Sequence, residues 1–503
     1  MRSTSDPGKA FFSMYSRPFG STLLALSLGL LGSVGCGGED EKPAPPPPKA
    51  GTVGSNCDPA KDNSCNDGLA CEEAADGGHR CATKLYLQGI VKDSATGDPI
   101  EGARVMAVND EGFPVTDVAT TDAKGAYELA VPAPRDADGA PAGAKFTLRA
   151  AAQDYQAFPN GPRVALPIDV KDAAEQDGRL EIESTLTTIE LVPLPDGDRS
   201  KIEGTLLALD SHADAPVGGV LVVATGGDGA VSGLSDKAGA FTIFNVPAGD
   251  QELKGYGAGL QLESKAVTVT AEPLTGVELH EIADATTTVS GSVQLVNAPG
   301  GAKTSVILVV EDTFDENAAR GEAPRGLRSP ASGAPDVTGA FTITGVPAGK
   351  YVVLAAYEND DLVRDPDTNI SGTDFVHLEV TAGETTTTLS ESFKVTEALA
   401  IVGPGKDTPE AVAEAPDLVW ADDSSEDGYD LRVFDALGNE VWQSLGLPAV
   451  KGSANVTVKY EGPLEPGMYY QFRASSWRQS GKGDPAPIST TEDLRGVFYL
   501  PTP

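Results

Sequence analysis

"SDKAGAFTIFNVPAG" (Ser235 to Gly249) and "PDVTGAFTITGVPAG" (Pro335 to Gly349) are two copies of one pattern, with Gly239, Phe241, Val246, Pro247 and Gly249 answered by Gly339, Phe341, Val346, Pro347 and Gly349. A third copy, "TDAKGAYELAVPA" (Thr121 to Ala133), keeps the grammar with Tyr127 in the aromatic place. Each begins with Asp-x-x-Gly, a tight-turn signal whose glycine is expected at φ > 0. Phe241 and Ile243 then alternate with Thr242 and Phe244, the period of a strand with one core face, though the apolar Phe244 makes the alternation imperfect. Self-similarity of this kind marks a repeat architecture.

Upstream of each turn lies a second shared block: "LQGIVKDSATGDPIEGARVMAV" (Leu87 to Val108), "IEGTLLALDSHADAPVGGVLVVA" (Ile202 to Ala224) and "VSGSVQLVNAPGGAKTSVILVVE" (Val289 to Glu311). All three read as strand, turn, strand. From the first-strand glycine to the turn glycine is 36 residues in copy one, 35 in copy two and 48 in copy three. The excess falls in "DTFDENAARGEAPRGLRSPASGAPD" (Asp312 to Asp336), whose charge, Gly and Pro content make it a loop inserted between strands.

Composition agrees. Gly 57, Pro 37 and 6% aromatics favour short strands joined by turns, and 503 residues with 40% hydrophobic content are too many for one core. The formal net charge of −37, from 37 Lys+Arg against 74 Asp+Glu, excludes a protein that neutralises a nucleic-acid backbone. The expected fold class is all-β, divided among several domains.

The block "GIVKDSATGDPIEGARV" followed by "TDAKGAYELAVP" resembles the carboxypeptidase regulatory-like domain, a transthyretin-like Greek-key sandwich, and copies two and three resemble it more loosely, which implies tandem Greek-key β-sandwiches, each closed around its own apolar interior. In peptidases that domain is an appendage beside the catalytic domain, so the resemblance implies a fold rather than an activity. From about Ala400 the composition changes, because Trp420, Trp442, Trp477 and a cluster of tyrosines fall there; its strand and turn pattern resembles a fibronectin type III or immunoglobulin-like sandwich.

The amino-terminal segment reads as an export signal: Arg2, Lys9 and Arg17 precede the apolar run Phe19 to Gly35. Ser33-Val34-Gly35-Cys36 resembles a bacterial lipobox, with Ser33 where that family usually has Leu, Val or Ile. The resemblance implies that Cys36 becomes an acylated first residue, carrying a diacylglyceryl thioether and a palmitate-type N-acyl chain, and that Gly37 directs it to the outer membrane. "GGEDEKPAPPPPKAG" then reads as an extended polyproline tether.

Cysteine arithmetic points the same way. Cys57, Cys65, Cys71 and Cys81 lie close together in a polar stretch too short to bury a core, an even number suited to two disulfides in an oxidising compartment, and Cys36 is left over. Three connectivities are open. The competing zinc site, with His79 beside Cys81, lacks the closely spaced cysteine pairs that let one turn supply two ligands. This module resembles four-cysteine segments of secreted myxobacterial proteins.

The expected order is a signal peptide (1–35), a tether (36–52), a disulfide module (53–83), a carboxypeptidase regulatory-like sandwich (84–195), two more sandwiches (196–284 and 285–398) and a fibronectin- or immunoglobulin-like sandwich (399–503).

Catalytic signatures are sparse. His79, His212, His280 and His377 are scattered, no HExxH occurs, and "GPGKDTPE" (Gly403 to Glu410) lacks the spacing of a phosphate loop. The metal candidate is "DPDTNISGTD", where Asp365, Asp367, Asn369, Ser371 and Asp374 offer hard oxygen donors suited to calcium. Trp420, Trp442 and Trp477 are candidates for stacking a sugar, although Trp420 and Tyr429 fall where a sandwich buries core aromatics. No cofactor is expected, apart from calcium at that loop. The leading expectation is a non-catalytic, outer-membrane-anchored lipoprotein acting as a structural, adhesive or surface-display scaffold, its partners the membrane and an extracellular polysaccharide or cell-surface protein. The alternatives are a carbohydrate-binding or calcium-dependent ligand-binding module, and an accessory subunit of a secreted enzyme.

Overall fold

The computed structural model describes residues 50–61, 64–159, 165–209, 217–227, 229–296, 303–316, 320–356, 375–389, 392–396, 398–423, 426–450, 453–479, 485–492 and 494–502. The secondary structure of these residues is strands joined by turns and short 3-10 segments, and among them no helix is long and apolar enough to cross a membrane. The chain is all-β, a series of sandwiches behind a small disulfide module.

Repeat two shows the repeated topology in full. Its first strand (Arg199–Leu207) pairs antiparallel with the fourth (Ala240–Pro247) and parallel with the seventh (Leu274–His280). The second strand (Leu221–Gly226) lies between the third (Gly229–Leu234) and the fifth (Gly249–Tyr256), and the sixth (Lys265–Val269) closes on the fifth. A parallel first-to-last pairing requires the chain to cross between sheets, so three strands face four around a core. Repeat one places Leu85–Asp93 between Ala126–Val131 and the parallel segments Arg179–Ile182 and Ile189–Leu191, with Arg104–Val108 and Lys145–Ala151 in the second sheet. Repeat three sets Thr287–Val296 between Ala340–Val346 and Thr386–Thr388, and Ser305–Val310 beside Gly349–Ala356.

The sequence copies coincide with one cross-strand contact. Gly89 stands opposite Tyr127, Gly204 opposite Phe241 and Gly291 opposite Phe341. The three rings are buried and lie over the glycines. A Cβ on Gly89 would stand 2.7 Å from the Tyr127 hydroxyl oxygen, one on Gly291 2.7 Å from Phe341 Cζ, and one on Gly204 would run into the Phe241 ring. The Tyr127 hydroxyl, buried with its ring, donates to Thr187 O at 2.6 Å.

The Asp-x-x-Gly turns form as expected in two copies. Asp122 Oδ1 accepts from Lys124 N (2.8 Å) and Ala126 N (2.9 Å), and Asp236 Oδ1 from Ala238 N and Ala240 N (both 2.9 Å), with Gly125 and Gly239 at φ of 72° and 85°. The preceding hydroxyl adds a clamp: Thr121 Oγ1 and Ser235 Oγ donate at 2.6 Å to Ile100 O and Val217 O and accept from Ala103 N and Val220 N at 2.9 Å. Repeat three has Pro335 in that place, and Gly339 does not adopt a positive φ. There the expectation is corrected: Val337 and Thr304 exchange two backbone hydrogen bonds of 2.9 Å instead.

Repeats one and two and the last sandwich each have an apolar cluster of their own residues, whereas the cluster of repeat three also takes in residues of repeat two. Val222 and Ala224 point into repeat two, whereas Leu221, Val223 and Tyr256 of the same sheet join the core of repeat three. A strand buried on both faces cannot alternate apolar with polar, which is why Val220 to Ala224 reads as a continuous apolar run. The six residues Ser305–Val310 are likewise all buried; Ile307 and Val309 join Val352 and Leu354 under Phe314 and Phe375, whose rings meet edge-on at 4.8 Å. Phe314 belongs to the inserted segment of copy three, which therefore covers an apolar face.

In the last sandwich Tyr469–Arg478 lies between Gly428–Asp435 on one side and Ala486–Thr490 and Val497–Tyr499 on the other, facing a sheet of Ile401–Gly403, Asp417–Ala421 and Asn455–Lys459. The disulfide module is a hairpin, Leu69–Glu73 with His79–Thr83, stapled by Cys57–Cys71 and Cys65–Cys81. Loops of this length gain about 3 kcal/mol per bridge from restriction of the unfolded chain.

The two turn glycines should respond differently to a methyl group. Gly239→Ala forces an L-residue to φ 85° with Val217 Cγ2 at 2.9 Å, and is expected to destabilise by about 1–2 kcal/mol. Gly339→Ala meets nothing within 4 Å and should stay within about 0.5 kcal/mol of the parent. Denaturant unfolding of the two variants measures the difference.

Candidate functional site

Buried polar side chains are where a stable β protein departs from an apolar interior, so each needs a partner or a task. Here several of them act across the boundaries between sandwiches. Asn245 is 7% exposed and sits at φ 62°. It occupies a bulge: Ser200 pairs with Val246 but Ile202 with Ile243, so the fourth strand carries one residue more than the first. The extra residue breaks the alternation after Phe244 and turns the Asn245 carboxamide toward repeat one. There its Nδ2 donates to Ala152 O (3.0 Å) and Tyr155 O (2.8 Å), and its Oδ1 accepts from Asp154 N (2.6 Å).

Repeat three carries the same bulge, with Val346 opposite Thr287 and Ile343 opposite Val289, and its positive-φ residue is Gly345. Gly345 O accepts from Gly259 N of repeat two at 2.8 Å, and Ala348 N donates to Gln261 Oε1 at 2.8 Å. Tyr256 and Tyr351 complete that junction edge-on, with ring centroids 5.9 Å apart.

The inserted segment of copy three reaches further back. Both carboxylate oxygens of Glu322 accept from Arg149 of repeat one, at 2.8 and 2.9 Å. Arg325 is 7% exposed; its guanidinium lies 4.7 Å from the centroid of the Phe113 ring of repeat one, and its backbone carbonyl accepts from Ala258 N of repeat two at 3.1 Å. Burial pulls its pKa down to about 10, so it remains a cation at neutral pH and its attraction to the ring face persists. Three sandwiches meet at this residue, and the expected loop is a strap.

Repeat one is also held at two other places. Glu72 of the disulfide module, 6% exposed, accepts from Ala133 N at 3.0 Å, while Arg135 donates to Thr83 O and its backbone N donates to Glu73 O. Burial pushes the Glu72 carboxyl above its usual range, against the pull of the Ala133 amide and of Arg135. On the side of the last sandwich, Glu190 Oε1 meets Lys92 Nζ at 2.9 Å and Glu190 Oε2 accepts from Asn439 Nδ2 at 3.1 Å, with Thr185 Oγ1 donating to Gly467 O at 2.7 Å.

Of the residues singled out from sequence, Cys36 and the oxygen cluster Asp365, Asp367, Asn369, Ser371 and Asp374 lie outside the described residues. The four remaining cysteines pair 57–71 and 65–81, one of the three open connectivities. Among the described residues one group of three side chains could approach a common metal ion, Cys57, Cys65 and Cys81, and their sulfurs are committed to these bridges. His377 pairs with Glu311 at 2.6 Å and His280 with Glu278 at 3.6 Å, in different sheets.

The tryptophans separate. Trp420 is fully buried, with Tyr429 and Phe472 centroids at 5.6 and 6.4 Å, so it presents no face to a sugar and leaves the set of stacking candidates. Trp442 packs edge-on to Tyr460 at 5.4 Å and Trp477 lies against Gly428; both are half-buried. An open concavity of about 330 Å³ lies beside Val402, Glu410, Val412 and Asp417, but Glu410 Oε2 is taken by Gly405 N at 3.0 Å and Asp417 stands 3.8 Å from Lys459.

Sequence reasoning missed the junction residues. One signal was available: five residues separate Phe241 from Pro247 and Phe341 from Pro347, whereas four separate Tyr127 from Pro132, and the extra position holds Asn or Gly, the types that tolerate φ > 0.

No family model matches the chain, and no curated protein matches it. Similar solved structures include the TIE protein of Bacillus anthracis, 11% identical over 80% of this chain and 68% of that one with a TM-score of 0.15. A minor pilin of Streptococcus agalactiae is 15% identical over 39% of this chain and 96% of its own, TM-score 0.15. Two B repeat units of the collagen-binding protein of Staphylococcus aureus are 11% identical over 83% and 98%, TM-score 0.18. With superposition this limited, the functional reading rests on the chain's own residues.

Trp420→Ala should cost about 3–5 kcal/mol, as for other buried large-to-small changes, and abolish the folded signature of the last sandwich in near-UV circular dichroism. Glu72 gives a pH dependence. Its folded pKa is raised, so the folded chain holds the proton more tightly than the unfolded one, and the cost of burying the carboxylate disappears as pH falls through the raised value toward the ordinary one. Glu72→Gln should therefore compare more favourably with the parent at pH 7 than at pH 4.5, which thermal melts at the two values test.

Proposed function

We propose that this chain is a non-catalytic, lipid-anchored scaffold of docked β-sandwiches that displays its outer surfaces from the outer membrane to an extracellular polysaccharide or a cell-surface protein. The observation that carries this reading is where the buried polar chemistry goes. Asn245, Gln261, Arg325, Glu72, Arg135 and Glu190 all act across a boundary between sandwiches or between a sandwich and the disulfide module. Groups that an enzyme would direct into a cleft serve here to hold folded units in fixed relation, the requirement of a structural or adhesive body.

The anchor is supported by cysteine accounting. The two bridges take up Cys57, Cys65, Cys71 and Cys81, so Cys36 has no cysteine partner within the chain. Its position at the end of the apolar leader suits it to lipid, and several acyl chains at about 0.8 kcal/mol per buried methylene give stable attachment. The high negative charge keeps the surfaces of neighbouring copies apart.

Intact mass spectrometry with membrane fractionation tests the proposal. The expected result is a chain that begins at Cys36, carries a diacylglyceryl and an N-acyl mass, and sediments with outer membrane, while Cys36→Ser moves the protein to the soluble fraction. Unmodified Cys36 in soluble protein sinks the anchoring.

A further inference from the structure

The junctions between repeats one and two and between repeats two and three are built alike. In each, the positive-φ residue of a fourth-strand bulge meets the turn that follows the fifth strand of the preceding repeat. That turn carries a residue in the left-handed region, Asp154 at φ 68° in repeat one and Gly259 at φ 81° in repeat two, and the amide of that residue is the group taken. Asp154 N donates to the Asn245 side chain and Gly259 N donates to the Gly345 carbonyl. Asp154 and Gly259 occupy equivalent places, five residues after Arg149 and Lys254, which lie opposite Met106 and Val223 on the second strands.

In both turns the N–H of the left-handed residue bonds across the boundary to the next sandwich, and a bulge pushes one residue out of its sheet toward that donor. Repeat one has no such bulge. Leu87 pairs with Leu129 and Leu85 with Val131 without a shift, and the corresponding end of that sandwich carries the longer 132–144 connection, which the disulfide module holds through Ala133 and Arg135. The repeat without a connector is the one preceded by a different kind of module.

We propose that the bulge residue is the docking determinant of the array: a sandwich attaches to the one before it when its fourth strand presents a positive-φ residue whose acceptor oxygen meets the left-handed turn of its predecessor. The surface is the turn 152–155 or 257–260, and the partner each fits is a sandwich of this class whose bulge residue matches its spacing, asparagine at 152–155 and glycine at 257–260. Asn245 uses its side chain and binds two carbonyls as well; Gly345 uses its backbone and permits closer approach, since a Cβ there would stand 2.6 Å from Gly259 N. The inference concerns the contact between sandwiches and does not depend on lipid anchoring.

Hydrogen exchange with mass spectrometry on the full chain, comparing the parent with Asn245→Gly and Asn245→Asp, tests it. Glycine keeps the left-handed backbone and removes the oxygen that Asp154 N reaches, while aspartate keeps that oxygen and loses only the N–H groups for Ala152 O and Tyr155 O. The Asp154 amide should exchange at least tenfold faster in the glycine variant, with 240–244 as protected as in the parent, and should stay closer to the parent in the aspartate variant. Three results overturn the proposal: protection of Asp154 that survives in the glycine variant, protection lost equally at Asp154 and 240–244, which assigns Asn245 to its own strand alone, or an aspartate variant that loses protection as fully as glycine, which assigns the docking to the side-chain donors.

Discussion

In each repeat an aromatic ring lies across a glycine on the adjacent strand, Tyr127 on Gly89, Phe241 on Gly204 and Phe341 on Gly291. The contact fixes which residue of the first strand faces which residue of the fourth. A slip of one position would turn the ring to solvent and put a Cβ where the ring must lie. With that register set, Ile243 and Ile343 face the core two residues later, and the bulge follows at Asn245 and Gly345. The local pair therefore determines where the outward-turned residue appears, and through it where the next sandwich sits.

The junctions join polar and apolar contacts. Leu221 and Val223 enter the core of repeat three while Val222 and Ala224 fill repeat two. Burying such side chains gains about 1.5–3 kcal/mol each, which favours association without specifying an angle. Direction comes from the hydrogen bonds at Asn245, Gly345 and Gln261 and from the Arg149–Glu322 pair, whose geometry admits few alternatives. Repeat one is the common member, touched by the disulfide module, by repeat two, by the strap of repeat three and by the last sandwich.

Much of this was legible in the sequence because it is local. The Asp-x-x-Gly turn, the aromatic five residues after its aspartate and the first-strand glycine recur at fixed spacing, and each has a short-range cause. The strand Val220 to Ala224 shows where locality ends: its continuous apolar run announces two buried faces but not what covers the second. Asn245 and Gly345 stand at a mismatched position between otherwise matching copies, and mismatch looks like drift until both are seen at positive φ facing a neighbour. In sequence the strap has the character of a loop because charge, Gly and Pro mark irregular backbone equally well whether it is solvated or clasped at Glu322 and Arg325. Trp420 and Trp442 carry the same chemistry in sequence, and only burial separates the core ring from the half-covered one.

The two bridges of the small module interleave, since Cys65 lies inside the loop closed by Cys57–Cys71 and Cys71 inside the loop closed by Cys65–Cys81. Any single peptide bond cut between Cys57 and Cys81 leaves both pieces joined by at least one sulfur bridge. A protease that nicks this polar stretch thus cannot detach what lies before it from what lies after it, and the weakest-looking segment of the chain is tolerant of breakage.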